Sequence, residues 1–68
     1  MNFSPEQANG LLFATAALFD QKDKDELFDF VQEARIKGDW DKVIEQTIVF
    51  LYRKYILGLL GGEENERP

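Results

Sequence analysis

Residues 40–60, WDKVIEQTIVFLYRKYILGLL, carry the pattern from which the architecture follows. At about 100° per residue, Trp40, Ile44, Ile48, Leu51 and Tyr55 form one stripe of a helix, while Val49, Ile56 and Leu60 point the opposite way. Such a helix begins amphipathic and ends apolar on nearly every side, which is more apolar surface than one small core covers. Its first half, Trp40 to Thr47, is expected to close a hairpin against the preceding helix. From Ile48 onward it is expected to serve a second surface too, supplied by another copy of the chain or by a different protein.

Upstream, Gly38 can take the left-handed conformation that ends one helix, and Asp39 can cap the next. So short a loop makes the flanking helices antiparallel neighbours. The second helix is expected over 23–37, with Asp23 and Glu26 in capping positions and Leu27, Phe30, Val31 and Ala34 as its seam. Asp25, Asp29 and Glu33 face away from that seam, and Glu33 and Lys37 are spaced for an i,i+4 ion pair. Phe28 and Ile36 lie off it.

The first helix is expected over 5–19, with Ser4 as N-cap, Pro5 at the first helical position and Gln7 closing a capping box. Gly10, Ala14 and Ala17 make a small side opposite Leu11, Leu12 and Leu18. A mid-helix glycine costs roughly 1 kcal/mol relative to alanine, so Gly10 suggests the close approach of another helix. Gly61 and Gly62 are expected to stop the third helix, and 63–68 reads as a charged, disordered tail. The expected architecture is therefore all-α. It is a three-helix bundle (5–19, 23–37, 40–60) forming one helical domain over 1–62, with an acidic tail over 63–68, assembled as a homodimer. A short strand over Thr47 to Leu51 is its one local rival.

The stretch from Gly38 to Glu45 resembles the turn and second-helix start of a tetratricopeptide repeat. That repeat packs its helices closely through small residues, where this chain has Val31, Val43 and Phe50. The stretch therefore reads as a generic helical hairpin and gives no support to peptide binding of the repeat type.

Composition narrows the function. A chain of 68 residues buries only about 60% of the surface its unfolded form exposes. With no cysteine and no histidine, disulfides and the usual zinc ligand sets are unavailable, which leaves association as the means of added stability. Thirteen acidic against eight basic residues, a net charge of -5, disfavour nucleic acid and anionic membranes. Glu6 stands where a secretory signal would carry a basic residue. The longest uncharged run, Gln7 to Phe19, has 13 residues against the roughly 20 of a membrane span. A cytoplasmic location is expected.

Without histidine or cysteine there is no Ser-His-Asp or Cys-His arrangement, and the only serine is committed to capping. Asp20, Asp23, Asp25 and Glu26 lack the spacing of a calcium loop, and Arg35, Lys37, Lys42, Arg53 and Lys54 are scattered among acids. No enzymatic activity, cofactor, metal or small-molecule substrate is expected. The favoured function is a small protein-protein interaction or regulatory module, self-associating or binding a protein partner. Its interface set is Val49, Tyr52, Ile56 and Leu60, with Phe13 beside them. The alternative is an acidic inhibitor or decoy, of the kind a phage or mobile element encodes, docking on a basic site of a host enzyme. It would use Asp20, Asp23, Asp25, Asp29 and Glu33. Apolar association should survive raised salt, whereas acidic docking should not.

Overall fold

A computed structural model describes residues 2–59 as three helices, with no strand among the described residues. They are α1 (Pro5–Ala16), α2 (Gln21–Lys37) and α3 (Trp40–Leu51), and the last runs on through a π-turn over Tyr52–Ile56 into a final helical stretch, 57–59. The expected tail and its Gly61-Gly62 stop lie outside the described residues.

Local chemistry sets the helix starts. Ser4 Oγ accepts the Gln7 N–H at 3.0 Å and Gln7 Oε1 accepts the Ser4 N–H at 2.9 Å, so the capping box closes in both directions. α2 starts two residues before the sequence pattern suggested, because its N-cap is Asp20: the Asp20 carboxylate accepts the Asp23 N–H at 3.0 Å. Gly38, at φ 75°, ends α2 in the left-handed conformation, and the Asp39 carboxylate accepts the Lys42 N–H at 3.2 Å to open α3. α1 stops at Ala16, short of the expected Phe19. The chain must reverse before the extended Asp20, and Leu18 and Phe19 make the reversal by donating to the Thr15 and Ala16 carbonyls at 3.0 and 3.1 Å.

The order is up, down, up. The backbone of α3 lies close to both other helices, while α1 and α2 meet mainly through side chains. At one end Ala8, Ala34 and Val43 form a small buried cluster with Trp40 and Ile44 against it. The Phe3 N–H, donated to Asp41 Oδ1 at 2.7 Å, ties the N-terminal segment to the start of α3 there. At the other end Leu12, Ala16, Leu27, Val31 and Phe50 make the larger cluster, with Phe19 edge-on to Phe50 at 5.6 Å.

The inward face of α3 differs from the stripe expected of it. Val43, Thr47 and Phe50 are the buried set, while Ile48 and Tyr55 of the expected stripe are exposed. The seam is turned by roughly a quarter of the helix circumference. Thr47 makes this possible: the hydroxyl donates to the Val43 carbonyl at 2.7 Å, so a polar residue sits fully buried with its hydrogen bond satisfied inside its own helix. The small side of α1 is unused within the chain. Gly10, Ala14 and Ala17 are exposed, and a Cβ at Gly10 would meet nothing within 4 Å.

A candidate interaction surface on the third helix

Beyond Phe50 the amphipathicity of the third helix inverts. Along the inward seam Val43, Thr47 and Phe50 are followed at the next helical position by Lys54, whose Nζ lies 3.0 Å from Glu26 Oε1 and 3.7 Å from Asp23 Oδ1. The ammonium sits 5.9 Å over the Phe50 ring, so the lysine ends the core with its charge held by α2. Its hydrogen bond to Glu26, with the charge of Glu26 and then of Asp23, raises the Lys54 pKa above the ordinary lysine value.

On the far side of the same helix the change runs the other way. Glu45 is exposed, and after it come Ile48, Tyr52, Tyr55 and Leu59, spaced four, three and four residues apart. Ile48 is 52% exposed, Tyr52 50% and Leu59 65%. Every described residue from Tyr52 to Leu59 is exposed. The length of α1 accounts for part of this, while α2, with 17 residues, still reaches Lys54. α1, with 12 residues, reaches about 18 Å, whereas α3 with its extension to residue 59 reaches about 30 Å. Past the level of Phe19, α1 offers nothing to cover it.

The π-turn lies within this uncovered region. The Leu57 N–H donates to the Tyr52 carbonyl, five residues back, and the Tyr52 N–H is shared between the carbonyls of Ile48 and Val49. The wider turn accommodates one more residue than an α-turn and leaves both Tyr55 and Ile56 exposed.

Of the interface residues expected from sequence, Tyr52 and Ile56 belong to this face, Val49 is half-buried on its flank, and Leu60 lies outside the described residues. Phe13, on α1, is 53% exposed. Its ring pairs with Phe28 of α2 at 5.4 Å, and the Arg35 guanidinium stands 5.8 and 5.7 Å from the two ring centres. An inward position was expected for Ile48 and Tyr55, and Leu59 was not singled out. The spacing of Ile48, Tyr52, Tyr55 and Leu59 was the signal that could have found them, since it is that of one helix face.

The acidic set is spread over several local tasks. Asp20 caps α2, Asp23 faces Lys54, Asp25 accepts from Gln21 Nε2 at 2.8 Å, and Glu33 pairs with Lys37 at 3.2 Å. Asp29 is exposed on the rim of an open groove of about 380 Å³ with Phe30 and Phe50 among its lining residues and Glu26, Arg53 and Lys54 around it. Asp25, Asp29 and Glu33 do share the outer side of α2, at four-residue spacing.

No described helix is long and apolar enough to cross a membrane. Comparison of the chain with known protein families, with curated proteins and with solved structures finds no match.

Proposed function

We propose that this protein is a small interaction module that works by binding another protein chain through the outward face of its third helix. The observation that supports it is the inversion described above. A helix whose inward side turns cationic while its outward side turns apolar is built to be covered from outside its own bundle. Contiguous exposed apolar surface of this kind marks interaction sites, and tyrosines such as Tyr52 and Tyr55 are the residue type in which binding energy concentrates. A regulatory role follows naturally for so small a chain, because occupying a surface is what such a face can do.

A photo-crosslinking residue placed at Tyr52, and separately at Asp29, tests this in the native cell. The expected result is a protein adduct from position 52 and none from position 29. Adducts from position 29 alone would transfer the function to the acidic side of α2 and favour a decoy acting on a basic site. The absence of adducts from both would overturn the interaction reading.

A further inference from the structure

Resting on that reading, we infer that the occupant of the face is a second copy of this chain, with the two third helices packed antiparallel across a twofold axis at the level of Arg53 and Lys54. The spacing of the face carries the argument. Ile48, Tyr52, Tyr55 and Leu59 stand four, three and four residues apart, a pattern that reads the same in both directions. An antiparallel copy therefore sets Ile48 against Leu59 and Tyr52 against Tyr55, and each contact occurs twice, as an isologous interface requires. The π-turn falls at the centre of this pairing and adds Ile56 to the face beside Tyr55.

Charge is compatible with the same arrangement. The chain carries a net charge of -5, but residues 46–59 contain no acid. Two acidic copies can meet on this face without acid against acid. Arg53 and Lys54 project away from the face, Lys54 toward Glu26 and Asp23, and Arg53 into the groove that Asp29 borders. A parallel pair would set Glu45 against Glu45 at the edge of the apolar contact. The antiparallel pair separates the two by about 25 Å along the helix, well beyond the screening length of about 8 Å at physiological salt.

The area is also sufficient. Ile48, Tyr52, Tyr55, Ile56 and Leu59, each roughly half in water, leave on the order of 500 Å² of surface per copy. Two copies together come to about 1,000 Å² in total if all of it is covered, the size of a weak interface. The inferred dimer is small and dissociates on dilution.

Because the chain has no cysteine, introduced thiols report the pairing directly. Ile48→Cys and Leu59→Cys change exposed positions, and helix content by circular dichroism verifies that each variant folds. Mixed under mild oxidant, the two variants should give a disulfide-linked 48–59 pair. Ile48→Cys alone should give none, because its two thiols sit about 16 Å apart, beyond disulfide reach. Asp29→Cys serves as the measure of random collision, and light scattering should give twice the 7.9 kDa chain mass. Self-linked Ile48→Cys, linkage no greater than that of Asp29→Cys, or a folded single-chain mass at tens of micromolar would each overturn the inference. A single-chain mass together with an adduct from position 52 in cells would remove the second copy while leaving the interaction face in place.

Discussion

Thr47 shows how a polar residue can join the buried seam of a helix. By polarity it belongs outside, and a pattern that counts only apolar residues turns the seam of α3 toward Ile44 and Ile48. The hydroxyl is satisfied by the Val43 carbonyl, so burial leaves no unmet hydrogen bond, and the seam runs through Thr47 instead. That satisfaction depends on a side-chain rotamer, which the sequence does not display. Thr47→Val keeps the shape and adds apolar surface, so it should leave the protein as stable or raise its stability by up to about 1 kcal/mol in urea unfolding. Lys54 is the complementary case, a charge at the end of an apolar seam. Its pKa is raised in the folded chain. The ion pairs therefore contribute fully below the ordinary lysine pKa, and the contribution is lost as pH rises through the raised value. Thermal melts of Lys54→Met should fall less between neutral and strongly alkaline pH than those of the unaltered chain.

Helix ends and loops were legible because their causes are local. Ser4 with Gln7 and Gly38 with Asp39 act within one turn of the backbone they cap, and the structure has them as the sequence suggested. The start of α2 shifted only from 23 to Gln21, since either acid can cap and the earlier one, Asp20, does. What local rules could not supply was the azimuth of α3 and the position of its π-turn. The azimuth depends on what α1 and α2 present across space, and no local pattern marks the π-turn. The exposed Ile48 to Leu59 face is legible as an excess of apolar residues, but its membership is not: the sequence pattern sets Ile48 and Tyr55 on the stripe opposite Ile56. The small side of α1 was expected to accept a close helix, yet nothing in the chain approaches Gly10. Gly10→Ala should therefore gain up to about 1 kcal/mol from helix propensity alone, read as a higher unfolding midpoint, and should leave the mass by light scattering unchanged. A loss of association would bring that side of α1 into the interface.

For the molecule as a whole, the two buried clusters are small and the third helix outruns its support. Domains of this size are only marginally stable, and a chain without cysteine or histidine gains added stability most directly by association. If the outward face is where association occurs, stability and assembly are linked, and the melting temperature should rise with protein concentration. The most direct measurement compares sedimentation equilibrium of the unaltered chain with that of Ile48→Glu, with helix content recorded for both. The account predicts a concentration-dependent monomer–dimer equilibrium for the unaltered chain, and for the variant a monomer that keeps its helix content. A variant that unfolds at concentrations where the unaltered chain is a folded monomer, or a variant that associates as tightly as the unaltered chain, would contradict it.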